Sequence, residues 1–176
     1  MLGLMQDRPL VLPHIFHRAE QLFGRKEIVT ATADGEQRIT IAEWAQRVRR
    51  LATALDRLGI SADGRVATFC WNTAAHLELY LAAPCTGRVL HTLNIRLFPD
   101  QLTYIANHAE DEVVFVDRSL LPVLWPLADK FESVRHYVVI DDGTGDIPDD
   151  PRILHYEELL AAADPVDFEV EDENRA

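Results

Sequence analysis

Residues 91–117, HTLNIRLFPDQLTYIANHAEDEVVFVD, decide the fold. An apolar run ends at polar Asn94, and Arg96 and a Phe98-Pro99 step follow. A helical stretch comes next, and a second apolar, β-branched run closes on Asp117. Strand, helix and strand in that order imply parallel strands joined by a crossover helix. Thr92, Asn94 and Arg96 then leave a buried run where a parallel sheet exposes its carboxyl edge, the edge at which such sheets bind ligands.

The rhythm extends in both directions. RVATFC (65–70), RVLHTLN (88–94), EVVFVD (112–117) and HYVVID (136–141) are apolar runs about two dozen residues apart. Helical stretches separate them near Ala74–Ala83, Pro99–Ala109 and Leu120–Lys130. The fold class is α/β, a largely parallel sheet flanked by helices.

Upstream, residues 12–23 read as a helix with Pro13 in its first turn and Gly24 as its stop. EIVTATADGEQRIT (27–40) reads as a hairpin around Asp34-Gly35. Thr40 and Glu43 have capping-box spacing, so a helix starts at Ile41. Trp44, Val48, Leu51, Leu55 and Leu58 form its apolar stripe, Arg47, Arg49, Arg50 and Arg57 take the wet side, and Gly59 ends it. Downstream, DDGTGDIPDDP (141–151) reads as an acidic surface loop and HYEELLAAA (155–163) as a short helix. The chain divides into a helix and hairpin over 1–40, an α/β subdomain over 41–163 and a polar connector over 164–176.

A chain of 176 residues, 48% apolar and 26% charged, carries one globular core. Its net charge of −12, with Lys26 and Lys130 as the only lysines, argues against a nucleic-acid partner. Cys70 and Cys85 form no CxxC and read as buried thiols of a reducing compartment. No run approaches the ~20 apolar residues of a membrane span, and the N-terminus lacks the basic start of a signal peptide. A cytoplasmic location follows as an expectation.

Few side chains carry chemistry of their own. Neither GxGxxG nor a GxxxxGK loop followed by Ser or Thr occurs, and the single GxG, Gly143-Thr144-Gly145, follows two aspartates that would repel a phosphate. Asp141, Asp142, Asp146, Asp149 and Asp150 lack the spacing of a calcium loop. His14 and His17 share a helical face but lack a third metal ligand, and His76 and Glu78 point to different sides of a helix. Ser61, Ser119 and Ser133 lie outside any GxSxG elbow, and Ser119 reads as a helix N-cap. Asn94, Arg96 and Arg118, which follows EVVFVD, remain as ligand-edge residues. Against this stands a purely structural role: Asn94 capping a turn, Arg96 reaching solvent and Phe98 plugging the core.

At this segment the chain resembles a family. WNTAAHLELYLAAPCTGRVLHTLNIRLFPDQLTYIANHAEDEVVFVD (71–117) resembles the N-terminal part of AMP-forming fatty-acyl-CoA synthetases, in the adenylate-forming superfamily. HLELY (76–80), GRVLHTLN (87–94), RLFPDQLTYI (96–105) and NHAEDEVVFVD (107–117) carry it, and TIAEW (40–44) and HYVVID (136–141) fall in the same order. The resemblance implies a cytoplasmic ligase for medium- or long-chain fatty acids. Such an enzyme joins the acid to AMP from ATP, with Mg²⁺, and passes the acyl group to CoA. It implies a parent several times longer, whose phosphate loop, adenine-binding motif and catalytic lysine are not in these residues. The chain alone is then inactive, with no catalytic residue and no metal ligand assigned. Asn94, Arg96 and Arg118 resemble the border of the CoA or acyl side, while His91 and Thr92 read as structural. Self-association through the N-terminal segment or open sheet edges is the implied homomeric contact. A stand-alone, non-catalytic module that binds acyl-CoA or a partner synthetase is the alternative.

Overall fold

A computed structural model describes residues 3–4 and 9–168. The predicted first helix is α1, Pro13–Phe23, anchored by the buried Phe16. The hairpin pairs β1 (Glu27–Thr32) with β2 (Gly35–Thr40), leaving Ala33 and Asp34 as its turn. Helix α2 (Ile41–Arg57) begins on the predicted capping box. Glu43 N–H donates to Thr40 Oγ1 at 3.2 Å and Thr40 N–H donates to Glu43 Oε2 at 3.0 Å, which satisfies two orphan donors. Gly59 follows at φ +68°, a left-handed turn that an L side chain rarely adopts.

The main sheet holds β3 (Arg65–Phe69), β4 (Val89–Thr92), β5 (Asp111–Asp117), β6 (His136–Ile140) and β7 (Ile153–His155). All neighbours are parallel, in the order β4-β3-β5-β6-β7. The remaining helices are α3 (Ala74–Ala82), α4 (Pro99–Ala109), α5 (Leu121–Leu124) and α6 (Tyr156–Ala161). One sheet face, with Val66, Val113, Phe115 and Val138, packs on Leu51, Leu55, Leu79 and Tyr156 of α2, α3 and α6. The other, with Ala67, Val114, Val116 and Tyr137, packs on Leu102 and Ala106 of α4 and on Leu121 and Leu124 of α5. Burial on both faces is why the strands read as uniform apolar runs.

Four expectations change. Residues 120–130 do not form one helix. A 3₁₀ turn at Arg118–Leu120, the single-turn α5 and a second 3₁₀ stretch at Trp125–Lys130 share them, because Pro122 and Pro126 lack the N–H an α-helical ladder needs. β4 is an edge strand with Val89 and Thr92 exposed, so its run is only half-buried. β7, three residues long behind Pro148 and Pro151, carried too short a pattern to be read. The α2 arginines are not simply solvated: Arg47, Arg49, Arg50 and Arg57 all reach other segments. The last part of the predicted connector, residues 169–176, lies outside the described residues.

Candidate functional site at the carboxyl edge of the sheet

Counting β3 to β7 as one to five, the sheet order is 2-1-3-4-5. The chain leaves β3 toward β4 on one side and returns to β5 on the other, so the order reverses between β3 and β5. Parallel sheets bind ligands in the crevice that such a reversal opens beyond the strand ends. Here the reversal lies between Trp71, just after β3, and Asp117, the last residue of β5.

These two residues are bound to each other. Trp71 N–H donates to Asp117 Oδ2 at 2.5 Å, and the half-exposed indole donates through Nε1 to Ser119 Oγ at 3.0 Å. Ser119 N–H in turn donates to Asp142 Oδ1, after β6, at 3.0 Å. One chain of contacts thus ties the ends of three adjacent strands. The Trp71 carbonyl faces His76 Nδ1 at 3.0 Å, and His76 Nε2 meets Thr68 Oγ1 at 3.0 Å. A carbonyl only accepts, so Nδ1 carries the proton and Nε2 accepts from the hydroxyl. Burial lowers the His76 pKa, opposed by the Trp71 carbonyl, which favours this neutral form.

Asp117 is the least satisfied member. It is fully buried, and its Oδ1 has no hydrogen-bond partner. Burial pushes its pKa up to about 6; the Trp71 N–H opposes the rise and the nearby Asp142 charge adds to it. The Cys70 thiol, close to the same carboxylate, is also held well above its usual value by burial, with the Asp117 charge second.

The residues marked from sequence are placed differently. Asn94 Oδ1 accepts Arg96 N–H at 3.0 Å, so Asn94 does close a turn. Arg96 is exposed, and its guanidinium has no partner among the described residues. Phe98 does not plug the core; it stands 75% exposed at the start of α4, because Leu102 and Ala106 already fill that face of the sheet. Beside it, a shallow groove of about 450 Å³ is lined by Leu97, Asp100, Gln101, Tyr104 and Ile105. Arg118 is engaged rather than free: Nη1 lies 3.1 Å from Asp141 Oδ1, and Nε donates to the Gly145 carbonyl at 2.8 Å. Asn94 and Arg96 leave β4, on the far side of β3 from Arg118, so sequence reasoning joined two separate strand ends.

Ser119 does not cap a helix with its side chain; it accepts from Trp71 instead. The 143–145 turn has its own acceptors. Asp141 Oδ1 takes Gly143 N–H at 2.8 Å and Asp142 Oδ1 takes Thr144 N–H at 3.4 Å, leaving those donors no role for phosphate. Among the described residues no three His, Cys, Asp or Glu side chains gather for a metal. The Trp71–Asp117–Ser119 set was missed in the sequence. Its one signal was an acid closing a run of Val and Phe, since a carboxylate there needs a partner or a raised pKa.

The family described as AMP-binding enzyme matches residues 16–167 of this sequence. The chain belongs to that family. It is 40% identical over 182 residues to a 3-methylmercaptopropionyl-CoA ligase of Ruegeria lacuscaerulensis, covering 100% of this chain and 33% of the relative. It is 44% identical to a long-chain-fatty-acid–CoA ligase of Thermus thermophilus, over 92% of this chain and 29% of the relative. The chain therefore spans about a third of the length of these relatives. A crystal structure of the anthranilate CoA ligase AuaEII in complex with anthranoyl-AMP matches with a TM-score of 0.80, over 96% of this chain and 32% of that one. At 19% identity, that match supports the fold alone. The resemblance drawn over residues 71–117 holds at the level of the family.

Proposed function

We propose that this chain is the first part of the large domain of a cytoplasmic fatty-acid–CoA ligase. The parent would adenylate a fatty acid with ATP and Mg²⁺ and pass the acyl group to CoA. One observation carries this: relatives named as CoA ligases align with 92–100% of the chain while extending about three times as far. The sequence carries no phosphate loop and no metal cluster gathers among the described residues, which supports the reading that the chain by itself catalyses neither step. Asn94, Arg96 and Arg118 remain proposed as a border of the CoA or acyl side. Arg96 suits that role best, having a guanidinium without a partner among the described residues, whereas Arg118 would first have to leave Asp141. Exposed Leu10, Ile15 and Leu22 around α1 support self-association through the N-terminal segment.

The test is fatty-acid-dependent ATP–pyrophosphate exchange by the purified chain, paired with titration of fluorescent acyl-CoA. Neither signal is expected. Exchange above background would overturn the inactivity, and saturable micromolar binding would favour the stand-alone binding module instead.

A further inference from the structure

Three arginines and a threonine on the outer side of α2 converge on the segment that follows α6. Arg50 Nη1 donates to the Ala163 carbonyl at 2.6 Å, Thr53 Oγ1 donates to the Asp164 carbonyl at 2.6 Å, and Arg57 Nη1 donates to the Ala162 carbonyl. Arg49 Nε reaches Asp167 Oδ1 at 3.0 Å. These carbonyls lie just past the end of α6, where helices leave acceptors without intrahelical partners. Two arginines and a threonine hydroxyl satisfy them here in place of a glycine cap.

The attachment is polar where the rest of the fold is apolar. Ala163 is buried, but Asp164, Pro165, Val166 and Asp167 are exposed, and Phe168 is only half-buried. Arg49 also clamps Glu20 of α1, with Nη1 and Nη2 each 2.7 Å from a carboxylate oxygen. Its guanidinium lies 4.8 Å from the ring centroid of Phe16, and Phe16 meets Phe168 edge-on at 4.9 Å. The N-terminal helix and the segment after α6 therefore share one arginine and one aromatic contact.

We infer that the arginine row of α2 is an electrostatic latch, which holds residues 162–168 and couples their release to that of α1. Segments held by few apolar contacts and by solvent-facing hydrogen bonds open locally while the core stays closed. Salt screens the ion pairs of this latch, Arg49 with Asp167 and Arg57 with Asp164, more than its bonds to neutral carbonyls, and leaves the sheet untouched: from roughly 0.1 M to roughly 1 M the screening length shortens from about 10 Å to about 3 Å. The latch is thus a device by which ionic strength sets how often residues 162–168 open from α2.

Amide hydrogen exchange of the intact chain tests this, followed over residues 16–23, 156–163 and 112–117. Ala162 and Ala163 N–H, which bond to Glu158 and Leu160 carbonyls, make the second of these a sensitive reporter. Losing two charge-assisted bonds in Arg50→Ala/Arg57→Ala is expected to speed exchange over 156–163 about tenfold or more, with 16–23 faster to a smaller degree through the coupling and 112–117 unchanged. Arg49→Ala is expected to speed both 16–23 and 156–163, and raised salt to do the same in the wild type. Exchange over 156–163 that ignores Arg50, Arg57 and salt would overturn the latch. Acceleration of only one segment by Arg49→Ala would overturn the coupling. Equal acceleration everywhere, the strand 112–117 included, would mean global destabilisation and would overturn local release.

Discussion

Replacing Asp117 by Asn should stabilise the protein above neutral pH. The folded carboxyl titrates near 6 against an ordinary value of 3.8, a rise of about two units caused first by burial. At 1.36 kcal/mol per unit, the fold holds the ionised form at a cost of about 3 kcal/mol. A folded pKa raised above the unfolded one favours the neutral acid. The advantage is therefore complete below the unfolded value of 3.8, fades through the folded value of about 6, and is gone above it. The amide of the Asp117→Asn variant would stay neutral throughout and still accept the Trp71 N–H. Its NH₂ group would, however, take the place of an oxygen that has no partner, which returns part of the gain. The expected net at pH 7.5 is about 1–2 kcal/mol, or roughly 3–6 °C in Tm for a chain of this size. The assay is urea unfolding of both proteins between about pH 4 and pH 8, followed by Trp fluorescence. The Asn variant should gain on the wild type as pH rises through about 6. A difference independent of pH would refute the reasoning, since the Asp117 carboxylate would then not be ionised at a cost. Destabilisation at every pH would mean that Oδ1 makes a contact an amide cannot replace.

Two further predictions concern buried groups. Glu78 is 1% exposed, receives hydrogen bonds from Arg47 Nε at 2.7 Å and Tyr156 OH at 2.5 Å, and has a pKa raised chiefly by burial. Glu78→Gln should change the unfolding free energy by no more than about 1 kcal/mol, whereas Arg47→Met, which strands the carboxylate, should cost about 3–5 kcal/mol in the same urea titration; equal losses would show that the charge itself is needed. Cys85 is fully buried, with burial pushing its thiol up to about 12, and Cys70 is nearly as enclosed. Neither should react with a disulfide reagent at pH 8 until denaturant is added, and a fast-reacting thiol in the native protein would contradict this core.

Local patterns made much of this protein legible. Thr40 and Glu43 announced the start of α2 because a capping box is a contact between near neighbours. Val66, Phe115 and Val138 announced buried strands because both sheet faces are covered. The family was also visible, because the 71–117 segment strings several local patterns in one order. The site was less so. Asn94 and Arg118 looked alike, each a polar residue leaving an apolar run, yet one closes its own turn and the other pins the 141–145 loop.

The sequence by itself therefore determined the elements, the α/β class and the family, since propensity, capping and hydrophobic period act within a few residues. Only the tertiary structure decided the strand order, and with it the reversal between β3 and β5. It alone decided that Trp71 and Asp117, 46 residues apart, share a hydrogen bond. It also turned the α2 arginines from a solvated face into a clamp on residues more than 100 positions away. Pairings at such separations rest on how the chain closes its loops and fills its core, and no short stretch of sequence records that choice.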